Sequence, residues 1–260
     1  MKKTQRAEEG YALQSSNDNY MSHVKNMQNF DKVIAVCTGL GGNYNPGKQN
    51  LSVVSLMATS AGAHSALLAM GAAKTNFYDA TNHREVAFED VNKLAARIVS
   101  ELKSSGVLVQ KVHDARYIQR KLTGFRASRD PVDTGAMDNG ASVKKSIARG
   151  LDYTTLADNF RALLQTLRTE PLYQPVADDL KLPALEAKLA TLVAANADVV
   201  RCAVELKNAR SQRDEVLYLQ SGSVYEQFHA AKQRLKATFG SGSPQFKGMT
   251  GVVFIKPAIM

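Results

Sequence analysis

The residues whose spacing most resembles a chemical motif are two glycines and a lysine near position 45. Gly42, Gly47 and Lys48 form a G-x-x-x-x-G-K pattern after an apolar run. In a phosphate-binding loop of this type, backbone amides and the lysine hold the phosphates, and a following Ser or Thr binds magnesium. Here Gln49 replaces the hydroxyl residue, and Pro46 has no amide proton. The pattern therefore argues against nucleotide binding, and we predict no cofactor.

The other residue types used in catalysis or metal binding are scattered. The histidines lie singly, and neither cysteine has enough further ligands nearby for a zinc site. Paired carboxylates stand at expected helix starts, where they interact favourably with the helix dipole. We therefore predict no catalytic residue and no metal ligand, with a triad assembled from distant residues as the alternative. The scattered histidines are His23, His64, His83, His113 and His229, and the two cysteines are Cys37 and Cys202.

Basic residues flank a segment rich in Gly, Ser and Asp in the middle of the chain. Tyr117 and Phe125 lie among them, and aromatic rings between cations can stack on nucleic-acid bases. The net charge of +9 also favours polyanionic partners. A solvated charged surface without a ligand is the simpler interpretation. The candidate polyanion-binding residues are Arg116, Arg120, Lys121, Arg126, Arg129, Lys144, Lys145 and Arg149.

Length and composition favour a soluble helical protein. The chain has 260 residues, no tryptophan and seven prolines, with many residues that favour helices. Its basic start is not followed by an apolar signal segment, so we expect a cytoplasmic protein, with export by a route without a cleavable signal as the alternative. The Ala-rich residues 51–73 contain several hydroxyl side chains. They are typical of a closely packed bundle helix, and membrane insertion is the least favoured interpretation.

The strongest structural signal is a heptad pattern in residues 183–218. Seam residues recur every three or four positions, are apolar with the exception of Asn196, and are followed on the same line by Arg210 and Arg213. They are Leu185, Leu189, Leu192, Asn196, Val199, Ala203 and Leu206. This spacing predicts one long helix packed along a partner helix. Further helices are predicted at residues 19–37, 51–88, 91–104, 109–122, 154–168 and 223–239, and a short β-like run at 252–255.

The chain also carries a degenerate internal repeat. Residues 44–88 align without a gap with residues 173–217, which lie 129 positions later. The alignment superimposes a Tyr-x-Pro turn that begins at Tyr44 on one that begins at Tyr173. A turn of this kind is not shared by helices through composition alone. The sequence therefore predicts two related helical units.

An arginine followed by an acidic residue occurs at the same place in both copies of the repeat. We predict that these residues pair between the copies at an end of the bundle. Two solvated surface pairs are the alternative, because exposed ion pairs contribute only about 0–1 kcal/mol. The residues are Arg84, Glu85, Arg213 and Asp214.

These patterns predict an all-α fold, an elongated helical bundle built from two related helical units, with a short β segment at the C-terminus as an option. The chain then divides into a flexible N-terminal arm (1–18), a first helical unit (19–122), a linker (123–150), a second helical unit (151–240) and a C-terminal tail (241–260).

The last sixty or so residues carry motifs that go beyond helix composition. Residues 208–218 read N-A-R-S-Q-R-D-E-V-L-Y, and residues 239–247 contain F-G and S-P-Q-F-K. In these motifs and in the repeated turn, the chain resembles a group of duplicated helical-bundle proteins of Bacteroidota that have no assigned activity. The resemblance begins near residue 20 and is weaker in the first half. It implies a duplicated helical architecture and no catalytic residue.

The sequence alone does not identify an activity. Helix seams and faces of small residues are abundant, whereas catalytic motifs are missing. We therefore interpret the chain as a non-enzymatic structural or protein-interaction bundle that self-associates, as a homo-oligomer or with another protein. The alternative is a nucleic-acid-associated basic helical protein. A membrane is the least favoured partner.

Overall fold

Helices make up most of the computed structural model, which describes residues 22–124 and 152–256. No strand occurs among these residues, so the all-α fold class is confirmed. The predicted N-terminal arm and nearly all of the predicted linker lie outside the described residues. The helices are α1 (residues 22–39), α2 (Val53–Phe88), α3 (Val91–Ser104), α4 (Val109–Thr123), α5 (Tyr153–Arg168), α6 (Leu182–Asp214), α7 (Val224–Phe239) and α8 (Pro244–Lys247).

The chain folds into two compact units that differ from the consecutive units expected at 19–122 and 151–240. Unit 1 comprises Met1–Thr75 and Val204–Met260, and unit 2 comprises Asn76–Ala203. The difference arises from helix length, because α2 alone has 36 residues and is about 54 Å long at 1.5 Å per residue. Helices α2 and α6 therefore each begin in one unit and end in the other.

Unit 1 has a core formed by α1, the first part of α2, α7 and the C-terminal tail. Helix α1 buries its apolar face as predicted, and α7 begins at Ser223, whose hydroxyl accepts from the Glu226 amide. The C-terminal segment adds Phe246 and Phe254. Other buried residues of this core include Met27, Phe30, Val33, Cys37, Leu56, Leu67, Leu217, Phe228, Ala231 and Leu235.

Unit 2 has a separate core formed by α3, α4, α5, the end of α2 and the first part of α6. The amphipathic patterns of α3 and α5 predicted the buried faces of these helices well, although Leu94 and Leu156 are only partly buried. Helix α4 ends at Gly124, whose positive φ of 76° closes the last turn. Other buried residues of this core include Phe88, Ile98, Leu102, Leu122, Phe160, Leu163, Leu164, Leu185 and Leu192.

The two Tyr-x-Pro turns have the same local structure. The hydroxyl group of Tyr44 donates to the carbonyl oxygen of Leu51 at 2.9 Å, and that of Tyr173 donates to Leu180 at the same distance. Both rings are buried, and burial raises the pKa of both phenols, so each keeps the proton that it donates. Each tyrosine thus fixes the short 3-10 turn that precedes a long helix.

The predicted seam of the long helix α6 is present with one change. Leu185, Leu192, Val199 and Leu206 are buried as predicted, but Cys202 points inward and Ala203 is exposed. The seven-residue spacing of Leu185, Leu192, Val199 and Leu206 is kept, and only the residue between the last two of them changes, from Ala203 to Cys202. Cys202 lies three residues after Val199, and the expected Ala203 lies four residues after it.

Helix α6 changes to a π-helix before its predicted end. Residues Glu215–Leu219 form one wide turn that directs Leu217 and Tyr218 into the core of unit 1. Such turns are rare and re-aim the side chains that follow them. The heptad pattern gave no sign of this turn.

The C-terminal segment does not form the β-like run considered for residues 252–255. Within the described part, residues 252–256 have no regular secondary structure. The side-chain amide of Asn26 donates to the Ile255 carbonyl at 2.6 Å and accepts from its amide at 2.9 Å. Asn29 likewise donates to the Val253 carbonyl at 2.7 Å. Side chains of α1 thus replace the strand partner, and the tail covers the core of unit 1.

Removing either turn hydroxyl is expected to destabilise the fold by a similar amount. Tyr44→Phe and Tyr173→Phe each leave a buried carbonyl without its donor, which costs about 1–2 kcal/mol. Urea unfolding would measure the loss, with Tyr117→Phe on the exposed side of α4 as the control. Equal stability of wild type and both variants would show that these hydrogen bonds do not hold the turns.

Candidate functional site

The motif at the end of α6 forms a buried polar cluster with α1 in unit 1. Nδ1 of His23 lies 2.6 Å from the hydroxyl of Tyr218, and the Asn26 side-chain amide donates to the same hydroxyl at 3.1 Å. Arg213 donates from Nε and Nη2 to Oδ1 of Asp214 at 2.9 and 2.7 Å. The ring of Tyr218 reaches this position because the π-helix re-aims it.

The electrostatics of the polar cluster keep its ring groups uncharged. Burial, followed by the nearby Arg213 guanidinium, lowers the pKa of His23 to about 4. Burial raises the pKa of Tyr218 to about 12. A protonated Tyr218 that donates to neutral His23 and accepts from Asn26 satisfies all three side chains. The cluster is therefore satisfied internally, and it fixes the packing of α1 against the end of α6.

The contacts of the two arginines correct the predicted pairing between the copies. Arg213 binds Asp214, its own neighbour in the chain. The guanidinium carbon of Arg84 lies 4.3 Å from the centre of the Tyr153 ring, and Phe88 packs edge-on against the same ring at 4.9 Å. Glu85 is exposed. An arginine over an aromatic face gains a cation–π contact without an acidic partner.

The loop with the phosphate-loop spacing has a different structure from a phosphate site. Gly41–Asn43 form a 3-10 turn, Tyr44 points into the core, and Lys48 is exposed. A P-loop connects a strand to a helix, whereas this loop connects α1 to α2. The loop therefore differs from a P-loop in the elements that it connects, and the absence of nucleotide binding stays a prediction.

A cleft of about 530 Å³ in unit 2 collects several polar side chains. Asp79 and His83 lie one turn apart on α2, a spacing that sequence reasoning overlooked, and Asp198 binds Arg201 on α6 at 3.2 Å. Within residues 22–124 and 152–256, however, no group of three or more His, Cys, Asp or Glu side chains is placed to hold a metal ion. The cleft therefore lacks the ligand set of a metal centre.

Three of the predicted polyanion-binding residues lie on the exposed surface of α4. Arg116 and Arg120 line a hollow of about 290 Å³ together with His113, and Lys121 lies over the Tyr117 ring at 4.6 Å. The structure thus brings two of the predicted arginines together on one helix face. The remaining predicted residues, Arg126, Arg129, Lys144, Lys145 and Arg149, lie outside the described residues.

The outward face of α2 in unit 1 is apolar and uncharged over a long stretch of helix. Residues 53–73 contain no Asp, Glu, Lys or Arg. Val54, Met57 and Leu68 are 78%, 50% and 75% exposed. Sequence reasoning singled out residues 51–73, but the spacing alone did not show which side of the helix faces solvent.

The opposite side of α2 is fixed in the core of unit 1. Leu56, Ala63 and Leu67 are buried there. At the edge of the outward face, Asp31 of α1 accepts from the Ser60 hydroxyl at 2.6 Å and lies 3.0 Å from Nε2 of His64. These contacts fix the rotation of α2 about its own axis, so its uncharged side remains in solvent.

One helical run in the described part of the chain is long and apolar enough to cross a membrane. Val53–Ser104 includes an 18-residue window of mean hydropathy 1.4, and 33% of that window is buried. Core helices of soluble proteins satisfy the same criterion. This measure therefore does not separate a membrane-inserting helix from a packed one.

Comparisons with known proteins give no match. No family model, no curated protein and no solved structure matches the chain. A functional assignment for this chain therefore has to come from its own surfaces. Large exposed apolar patches on a folded protein mark interaction sites, so the outward face of α2 is the principal candidate.

Acidification is expected to weaken unit 1 through His23. The unfolded histidine titrates near 6.5, so at lower pH the unfolded chain binds more protons than the folded one. The free energy of unfolding then falls as the pH decreases from about 6.5 towards 4, by up to about 3 kcal/mol in that window. Urea unfolding at several pH values would measure the slope.

The variant His23→Gln removes the titrating group and should flatten this slope, although it is expected to be less stable at neutral pH. His113→Gln on the exposed side of α4 is the matched control and should keep the wild-type slope. If His23→Gln lost stability with pH as steeply as wild type does, another group would be responsible.

Proposed function

We propose that this chain is a non-enzymatic protein-interaction module that self-associates through the outward face of α2. The observation that carries the proposal is the exposure of Val54, Met57 and Leu68 on a helix face without charge. Complete burial of side chains of this size contributes about 1.5–3 kcal/mol each. Covering the face with a partner is therefore favourable.

The continuity of the face separates it from ordinary surface hydrophobicity. Exposed apolar residues are common when they occur singly among polar neighbours. Val176, for example, is 93% exposed, but it lies in a loop followed directly by Asp178 and Asp179. The residues between Val54 and Leu68 are instead alanine, glycine, serine, threonine, histidine, the half-exposed Met57 and the buried Leu56 and Leu67. The α2 face thus offers a partner a continuous surface.

The proposal includes an internal duplication of the kind found in the group that the chain resembles. The identical hydrogen bonds of Tyr44 and Tyr173 support it. On this view each unit combines the first part of one copy with the last part of the other.

A charge on the α2 face is expected to prevent self-association. Leu68→Glu places a carboxylate on the contact face, and this carboxylate would lose its water when a partner covers the face. Val176→Glu adds the same charge on a loop of unit 2, away from that face. Sedimentation velocity over a wide concentration range should show a monomer–dimer equilibrium for wild type and Val176→Glu, and a monomer for Leu68→Glu. A wild-type chain that remains monomeric at every concentration would contradict the proposal.

The second candidate function is polyanion binding on α4. It is favoured by the exposed Arg116 and Arg120, which share a hollow with His113 and have no acidic side chain in its lining. Arginine suits this role because its planar guanidinium can donate two parallel hydrogen bonds to one phosphate, which a lysine ammonium does not do.

Replacing both α4 arginines is expected to weaken nucleic-acid binding at low salt. The double variant Arg116→Ala with Arg120→Ala should reduce the magnitude of the slope of log affinity against log salt concentration by about two. Each phosphate contact that is lost reduces that magnitude by about 0.9. Fluorescence anisotropy with a labelled DNA duplex would measure it. Lys93→Ala with Lys103→Ala on α3 is the control of equal charge. Absence of wild-type binding at low salt would eliminate this candidate.

A further inference from the structure

We propose that the partner of the outward α2 face is a second copy of this chain, packed antiparallel along the same face. The inference rests on the proposed self-association and adds the identity and the direction of the partner helix. The contact surface, called the α2 stripe below, consists of exposed residues of unit 1. They are Val54, Ala58, Ala61, Ser65, Leu68 and Ala72.

The α2 stripe has the spacing of a two-helix interface. Its members follow one another by four and three residues alternately, which is the heptad spacing at which two helices pack side by side. The stripe lies on the opposite side of α2 from Leu56 and Leu67, which belong to the core of unit 1. One helix therefore carries two apolar seams, and only the inner one is covered within the described residues.

The sizes of the stripe residues favour an antiparallel second copy. When α2 pairs with itself in this direction about a centre at Ala61 and Ser65, Ala58 of one copy lies at the level of Leu68 of the other. Val54 then lies at the level of Ala72. Each large side chain meets an alanine, and the twofold symmetry forms every such layer twice. Small residues between the large ones let the helix backbones approach closely.

A parallel pairing of the same stripe packs less well. It places Val54 against Val54 and Leu68 against Leu68, while four layers of alanine and serine face each other between and beyond them. Large side chains then hold the helices apart where the small ones leave a gap, and such voids are unfavourable. In the parallel dimer the two helix dipoles lie side by side and point in the same direction, so they repel each other. In the antiparallel dimer they point in opposite directions and attract each other.

Charge favours the α2 stripe as the meeting point of two copies. The chain has a net charge of +9, so two copies repel each other across most of their surfaces. Residues 53–73 carry no ionic side chain that would have to be dehydrated or brought near its own copy. Asp31, whose carboxylate lies 3.0 Å from Nε2 of His64, remains partly exposed at the edge of the face.

Burial of the inner seam disfavours a membrane as the occupant. A helix that spans a bilayer exposes its whole circumference to lipid or to other spanning helices. Helix α2 could do so only if Leu56, Ala63 and Leu67 left the core of unit 1. A second copy covers the outer seam and leaves the inner seam in place.

The size of the α2 stripe indicates a weak dimer. From Val54 to Ala72 the helix rises about 27 Å, and a helix contact is about 10 Å wide, so the two copies together bury on the order of 500 Å². Stable specific interfaces exceed about 1,000 Å². The dimer is therefore expected to dissociate on dilution.

Cysteine cross-linking tests the direction of packing. Ala58→Cys and Leu68→Cys are prepared as separate full-length variants, and diamide is added to each alone and to their mixture. Positions 58 and 68 are adjacent across the antiparallel interface, whereas identical positions are about 15 Å apart along the axis. The mixture should give several-fold more disulfide-linked dimer than either variant alone. Wild type, whose Cys37 and Cys202 are buried, should give none.

The variants Val54→Cys and Ala72→Cys repeat the test at the end of the α2 stripe. Both keep Leu68, so they control for the chance that Leu68→Cys itself weakens the dimer. Efficient linkage of each variant with itself would overturn the antiparallel dimer and leave self-association standing. A wild-type dimer by sedimentation without any cross-link would place the interface elsewhere. A wild-type monomer that binds phosphatidylcholine vesicles would overturn both the inferred dimer and the proposed function.

Discussion

The two long helices are each held by two different cores, and the rest of the structure depends on this constraint. Helix α2 places Leu56 and Leu67 in the core of unit 1 and Phe88 in that of unit 2. Helix α6 places Leu185 in unit 2, and the π-turn that continues it places Leu217 in unit 1. Within unit 1, the buried Leu56, Ala63 and Leu67 and the contacts of Asp31 with Ser60 and His64 fix the rotation of α2 about its own axis. The uncharged outer side of α2 is therefore a fixed feature of the surface.

Much of the fold was predictable from local pattern, because amphipathic spacing is strong in short helices such as α3 and α5. The details of the long helices were not predictable in the same way. A heptad pattern allows a step of either three or four residues after Val199, and the spacing alone did not decide between Cys202 and Ala203. The π-turn at Glu215–Leu219 and the role of Asn26 as partner of the tail backbone depend on tertiary packing. No spacing in the sequence records that packing.

The functional surfaces were less predictable than the helices. Sequence marked residues 51–73 as apolar, but only the folded chain shows that Val54 and Leu68 face solvent. Pairing between the copies was expected for Arg84, Glu85, Arg213 and Asp214, whereas Arg213 binds its neighbour Asp214 and Arg84 lies over the Tyr153 ring. Contact between His23 and Tyr218 joins positions 195 residues apart, and a single sequence contains no sign of such a contact.

Hydroxyl-radical footprinting of the wild-type chain across a dilution series tests the central claim most directly, because it reports which side chains become covered on association. The account predicts that Met57 and Leu68 are modified readily in dilute solution and are protected when the chain is concentrated. Leu172 and Val176, exposed on a loop of unit 2, should be modified equally in both conditions. Protection at these loop residues with none at Met57 and Leu68 would contradict the account.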